Sequence, residues 1–203
     1  MCRKGNDASP VPDRSAAPPE GISRCRWVNL KNPRYVEYHD REWGVPCHDD
    51  RQLYELLILE TFQAGLSWEC VLNKRAAFRA AYDNFELEKV IRYGEDRLQA
   101  LQRNGAIIRN RLKIRASITN SRIFQRIQRQ YGSFREYVER FTGKQVIYEP
   151  YSLRTTSPLS DALSEDLKQR GMSFAGSTVI YSYLQSAGFI NAHGEECCFY
   201  RSM

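Results

Sequence analysis

The stretch Leu53-Tyr54-Glu55-Leu56-Leu57-Ile58-Leu59-Glu60-Thr61-Phe62-Gln63-Ala64-Gly65-Leu66-Ser67-Trp68 restricts what this chain can fold into more than any other. Its apolar run puts positions 53, 56, 57 and 60 on one face at helical spacing, so the helix has to be covered. Gly65 ends that helix, Leu66 stands at an exposed tip, Ser67 is suited to cap a second helix, and Trp68 lies just inside it. Glu60 falls on the same stripe as the leucines. A carboxylate there is expensive to bury unless a cation or a hydrogen-bond donor meets it. Glu60 is therefore either half of a structural ion pair at a helix end or a functional group.

The rest of the chain is punctuated in the same helical style. Asp49-Asp50 opens the first helix, and the second runs from near Ser67 to roughly Tyr82. Leu87 to Tyr93 is stopped by Gly94, and Glu95 to Arg103 ends at Asn104-Gly105. A long helix begins near Arg109 and turns Ile114, Ile118, Ile123, Phe124 and Ile127 inward until Tyr131-Gly132. Ser133-Phe134-Arg135-Glu136 spells a capping box. Residues 142–156 read as loop. Ser157-Pro158 starts a helix that reaches Gly171, and a last one spans Ser177 to Ala187. Strand-period alternation is almost absent, which predicts an all-α class. The length of 203 residues suits one helical domain over residues 23–203. Residues 1–22, with Ser9-Pro10-Val11-Pro12 and Ala17-Pro18-Pro19, carry no periodic apolar pattern and read as a disordered leader.

Charge narrows the function. Arg and Lys total 30 against 24 Asp and Glu, and the excess is clustered. From Arg97 to Arg135 there is no acidic residue, while Arg97, Arg103, Arg109, Arg111, Lys113, Arg115, Arg122, Arg126, Arg129 and Arg135 all fall there. A solvated helix face mixes signs, so this run reads as a polyanion footprint with nucleic acid as the partner. At its centre Asn104-Gly105-Ala106-Ile107-Ile108 joins two helices. A helix-hairpin-helix of this kind presents backbone N–H groups to a phosphate and binds without reading sequence. Gly105, Arg109, Arg111 and Lys113 are the candidate contacts. The sequence shows no secretory leader and no apolar run of membrane-spanning length, which predicts a cytoplasmic protein.

Two further groups carry chemistry. Tyr35, Tyr38 and Trp43 crowd one loop-rich segment, either as core or as a surface on which a planar base stacks. Six cysteines are unevenly placed without an export signal, so a reduced metal site fits better than disulfides. His193 and Cys197 are four apart near the chain end, and Cys25 and His39 are 14 apart near its start. Together they form a normal structural zinc complement, unless the cysteines are simply buried thiols and His39 a core histidine.

Taken together, several separated segments closely resemble the DNA-3-methyladenine glycosylase I family. They are Tyr38-His39-Asp40-Arg41-Glu42-Trp43-Gly44, Leu59-Glu60 with Gln63-Ala64-Gly65-Leu66-Ser67-Trp68, Ile107-Ile108-Arg109-Asn110-Arg111-Leu112-Lys113-Ile114, Thr155-Thr156-Ser157-Pro158-Leu159-Ser160-Asp161-Ala162, Phe174 with Gly176-Ser177-Thr178, and His193 with Cys197. The resemblance spans about residues 24–200 and follows family order. It implies a helix-hairpin-helix glycosylase fold that flips N3-methyladenine out of alkylated double-stranded DNA and hydrolyses its glycosidic bond for base excision repair. By motif it also implies one structural zinc on Cys25, His39, His193 and Cys197. Tyr35, Tyr38, Trp43, Glu60 and Trp68 would line the base pocket, with Glu60 as the catalytic carboxylate, and Gly65-Leu66 would fill the gap in the duplex. Thr61, Ala106 and Ala192 depart from the residues usual in the family, Gly, Gly and Asp. No acid follows the hairpin before Glu136 and the motifs hold no nucleophilic Lys, so a monofunctional enzyme without a strong general base is expected. The competing readings are a non-catalytic zinc-stabilised DNA-binding module and a glycosylase of shifted base preference.

Overall fold

The computed structural model describes residues 21–149 and 154–200. Most of the expected leader therefore lies outside the described residues, while Ile22 packs against the core. The order is α1 (Pro33–Arg41), α2 (Asp50–Gln63), α3 (Trp68–Asn73), α4 (Arg75–Ala81), a short 3-10 turn (Asp83–Phe85), α5 (Leu87–Val90), α6 (Glu95–Arg103), α7 (Arg111–Tyr131), α8 (Phe134–Thr142), β1 (Ile147–Tyr148), α9 (Pro158–Gln169), α10 (Ser177–Ser186) and β2 (Ile190–Asn191). The class is all-α. No helix among the described residues is long and apolar enough to cross a membrane.

The organising helix is more deeply placed than its stripe suggested. Every residue of α2 from Leu53 to Phe62 is buried, because α3, α7, α8 and α10 all pack on it. A helix apolar around most of its girth belongs at a core's centre. Its two buried glutamates are treated differently. Glu55 meets Arg75 at 2.5 Å and Arg79 at 2.9 Å, and Arg75 also holds Glu42 at 2.7 Å. The structural ion pair on this helix is therefore Glu55's.

Five local expectations change. The segment read as aromatic loop contains α1, whose start is written in Asn32-Pro33: Asn32 accepts from the Arg34 N–H and Pro33 occupies the first turn. The second helix is two, broken at Lys74 (φ −99, ψ 0). The long helix begins at Arg111 rather than Arg109, because the Asn110 side chain caps the N–H groups of Leu112 and Lys113. The loop after α8 contributes β1, which pairs in parallel with β2, Ile147 opposite Ile190. Ser133 caps α8 through the Glu136 N–H, but the reciprocal box is at Ser157 and Ser160.

Gly188 is the hinge pin of the architecture. It ends α10 at φ +71, and a Cβ there would lie 2.0 Å from the Val45 carbonyl oxygen. The close approach lets Cys47 N–H reach the Ala187 carbonyl at 3.0 Å and Gly44 N–H the Gln185 carbonyl at 2.9 Å, docking residues 44–47 on the end of α10. Gly188→Ala combines a left-handed backbone with a backbone clash that no rotamer relieves, and is expected to cost about 3 kcal/mol. Chemical denaturation of the two proteins checks this, and an unchanged midpoint would refute it.

Candidate active site and metal centre

Helix α1 serves two sites at once. Tyr35 and Tyr38, three residues apart, line one site, while the neighbouring His39 belongs to the other. On the tyrosine side is a cavity of about 310 Å³, at the small end for a ligand pocket. The structure brings all five candidate pocket residues, Tyr35, Tyr38, Trp43, Glu60 and Trp68, to its wall. Trp27, Gln63, Ala192 and, on α10, Tyr181, Ser182 and Gln185 complete it together with Arg154 and Thr155. Trp27 packs 4.9 Å from Trp43 and 5.3 Å from Tyr35, and Tyr38 lies 5.3 Å from Trp68. Sequence reasoning missed Trp27 and Gln63. Gln63 was findable, because it lies one helical turn beyond Glu60.

Among the described residues Glu60 is the only acid on this wall. It is 2% exposed, and among the described residues its Oε2 has no hydrogen-bond partner and no cation meets it. Burial pushes its carboxyl up to about 8, with the Ser186 hydroxyl opposing the shift. The indole Nε1 of Trp68 is likewise buried without a partner. An orphan acceptor and an orphan donor on aromatic walls leave hydrogen bonds for a planar ligand to complete. Tyr35 is pushed to about 12, chiefly by burial with help from Glu69 and Glu60, so its hydroxyl stays neutral. Of the departures, Thr61 is buried with its hydroxyl on the Ile58 carbonyl at 2.7 Å, and Ala192 lines the cavity.

At the end of α2, Gly65 adopts φ +78 in open space and Leu66 is 43% exposed. The hairpin between α6 and α7 is closed by Asn104, whose side chain accepts from the Ala106 N–H at 3.0 Å. Gly105 is outside the left-handed region and a Cβ there would meet nothing within 4 Å. Asn104 therefore makes the turn, and Gly105 contributes bare backbone.

The basic run does not form one continuous footprint. Arg115 pairs with Glu95 and Arg135 with Glu139, while Arg97, Arg122 and Arg126 donate to backbone carbonyls. Lys113, grouped by sequence with the DNA contacts, is turned inward: it is 6% exposed and its ammonium donates to the carbonyls of Phe62, at 2.8 Å, and Ala64. The end of α2 offers unpaired carbonyls that a lysine satisfies better than solvent does. Arg103, Arg109 and Arg111 remain exposed around the hairpin.

Beside this cavity, Cys25, His39, His193 and Cys197 are all buried, with one ligand atom from each within 4.8 Å of the others. Nδ1 of His193 lies 3.5 Å from Cys25 Sγ and 3.4 Å from Cys197 Sγ, and Nε2 of His39 lies 3.6 Å from Cys197 Sγ. A tetrahedron with ordinary zinc–sulfur and zinc–nitrogen lengths has S···N edges of about 3.6 Å, so the donor set fits a metal ion. Outer contacts orient both rings. His39 Nδ1 meets Asp40 at 2.8 Å, Arg24 grips that carboxylate at 2.7 Å, and His193 Nε2 faces the Trp43 carbonyl at 3.3 Å. Asp40 and Arg24 were not singled out by sequence. A carboxylate beside a candidate ligand histidine was the available signal.

The methyladenine glycosylase family model matches residues 27–201. The DNA-3-methyladenine glycosylase 1 of Escherichia coli (strain K12) is 40% identical over 183 residues, spanning 88% of this chain and 97% of that protein. A crystal structure of 3-methyladenine DNA glycosylase I (TAG) superposes with a TM-score of 0.84 at 39% identity, covering 88% of this chain and 100% of that one. The Staphylococcus aureus TAG, whose structure concerns 3-methyladenine recognition, superposes with a TM-score of 0.81 at 32% identity, covering 85% of this chain and 94% of that one. With its helices, cavity and matched length, the chain belongs to the methyladenine glycosylase family.

Proposed function

We propose that this enzyme removes N3-methyladenine from alkylated double-stranded DNA, and that the Glu60 carboxyl, with its unpartnered Oε2 in an aromatic cavity, is what reads the flipped base. The observation that carries the proposal is the unpartnered, fully buried Oε2 on the cavity wall. Non-specific phosphate binding needs neither that carboxyl nor the aromatic walls. Related proteins are described as 3-methyladenine glycosylases and one as recognising 3-methyladenine, which supports the same substrate.

The N3-methylated nucleoside is cationic. Its glycosidic electron pair therefore departs onto the base and neutralises it, so the leaving group needs no acid. Tyr35, Tyr38, Trp43 and Trp68 enclose the ring, and their π faces favour the cation. In the empty cavity Glu60 holds a proton near neutral pH, and the entering cation favours its ionised form. The carboxylate then accepts from the exocyclic amine while water attacks the sugar carbon as the bond breaks. The products are an abasic sugar, the neutral base and a proton. The reaction is monofunctional: water, and no protein side chain, takes the sugar carbon.

Gly65 and Leu66 fill the place the base leaves, and Gly105, Arg109 and Arg111 hold phosphates. Cys25, His39, His193 and Cys197 hold one structural zinc, far more a staple than a reagent. Residues 23–203 act as one domain, as a monomer in the cytoplasm.

Incubation with N-methylated duplex and chromatography of released bases tests the reading. Free N3-methyladenine with an intact, alkali-labile strand is expected. DNA binding with no released base would favour a non-catalytic module, and release of other bases first would favour a shifted preference. A second expectation concerns the hairpin. Binding to undamaged duplex is sequence-blind and weakens steeply with salt, and the double variant Arg109→Ala/Arg111→Ala loses about 0.9 from the log–log salt slope per contact removed. Filter binding across a salt series measures it, and an unaltered slope would remove these arginines from the interface.

A further inference from the structure

Of 30 cationic side chains only seven are lysines, and two of them hold backbone carbonyls across the same seam. Lys113, in the first turn of α7, reaches the carbonyls of Phe62, in the last turn of the helix that carries Glu60, and of Ala64, its cap. Among the described residues it has no carboxylate partner, and it lies 5.8 Å from the Phe174 ring centroid. Helix α2 has no basic residue in its own last turn, and its cap Ala64 (φ −43, ψ 114) does not fold back onto the helix. The cap of α2 is thus supplied by α7. In the opposite sense Lys74, at the corner between α3 and α4, donates to the Ala106 carbonyl of the hairpin at 3.1 Å. A lysine head is a compact charge with three rotatable donors that suits two converging carbonyls.

These straps join two parts that the proposed function requires to act on one DNA molecule. The hairpin grips the backbone, and Gly65-Leu66 enters the stack. We propose that Lys113 and Lys74 are positioning residues that lock the hairpin and the tip into a single rigid clamp, so that phosphate binding places Leu66 at the lesion. This rests on the base-excision reading. A displacement of about 1 Å at the tip is enough to matter, since misplacements of that size cost on the order of 10²-fold in well-oriented reactions.

The test compares wild type with Lys113→Met and Lys74→Met, which keep the aliphatic stem and lose the ammonium. Single-turnover excision of N3-methyladenine from duplex is measured alongside zinc content and affinity for free 3-methyladenine. The maximal duplex rate should fall at least about tenfold in each variant, with zinc content and free-base affinity unchanged. Placing the lesion opposite an abasic site, where unpairing costs little, should narrow that loss to within about threefold. Unchanged rates, or a loss that persists opposite the abasic site, would overturn the inference in favour of plain helix capping. If Lys113→Met does not fold, Lys74→Met, altered at the partly exposed end of the clamp, decides alone. If the wild type itself releases no base, the base-excision reading fails and takes the inference with it.

Discussion

Glu60→Ala is expected to lower single-turnover release of N3-methyladenine by at least about 10²-fold, the scale on which removal of one preorganised electrostatic contact is felt. Zinc content and affinity for undamaged duplex should persist, because Glu60 touches neither the metal set nor the hairpin. The loss cannot be ascribed to a broken ion pair, since Glu60 has none and Glu55 holds the arginines. Stability should respond to pH in a matching way. The folded carboxyl titrates at about 8 and an unfolded one near 4.3, so between these values the folded state binds the extra proton. Stability from this group is therefore complete below the unfolded value and falls as pH rises towards 8, by up to about 1.4 kcal/mol per pH unit. Glu60→Gln has no such group to ionise. Its melting temperature relative to wild type should rise from pH 5 to pH 8, and a constant difference would mean that Glu60 is not the buried titrating acid described.

Loss of the metal should have the second large effect. The candidate ligands come from α1, the segment before it and the segment after β2, so one ion held there would close a loop of more than 150 positions between His39 and His193. Opening a loop of that size forfeits about 5 kcal/mol by analogy with a cross-link, and structural zinc sites routinely contribute more. Cys197→Ala, or chelation of the wild type, should lower the melting temperature by about 10–20 °C. Elemental analysis of the untreated protein should find one zinc per chain. A fully folded, metal-free protein with an unaltered melting temperature would contradict the staple. The two effects separate cleanly, since Glu60→Ala should leave zinc in place.

How far each feature could be read from sequence follows from its physics. The corner Leu53–Trp68 was legible because its periodicity, its Gly and its Ser cap are local. So were α7 and the helix opened by Ser157-Pro158. Helix α1 was hidden by its own chemistry: it is only nine residues long and rich in polar and aromatic residues, and Asn32-Pro33 marked its start. The glutamates of α2 show the limit best. Nothing in the letters at 55 and 60 says which meets arginines, because Arg75 and Arg79 arrive through the corner at Lys74. Lys113 was misassigned for a similar reason. A basic run gives the charge of a segment, whereas the direction of each side chain depends on which carbonyls the fold leaves unpaired. For the metal set, spacing alone left buried thiols as an alternative. What brings the pairs together is tertiary: the tight end of α10 at Gly188 and the pairing of β1 with β2, which deliver His193 beside α1.

The central claim, that Glu60 reads the alkylated base inside the aromatic cavity, is tested most directly by titrating free 3-methyladenine into the protein and following the fluorescence of the cavity tryptophans. The wild type should show saturable quenching, adenine should bind far more weakly, and Glu60→Ala should lose the preference for the methylated base while keeping its fold and its zinc. Equal affinity of wild type and Glu60→Ala for 3-methyladenine would contradict the account.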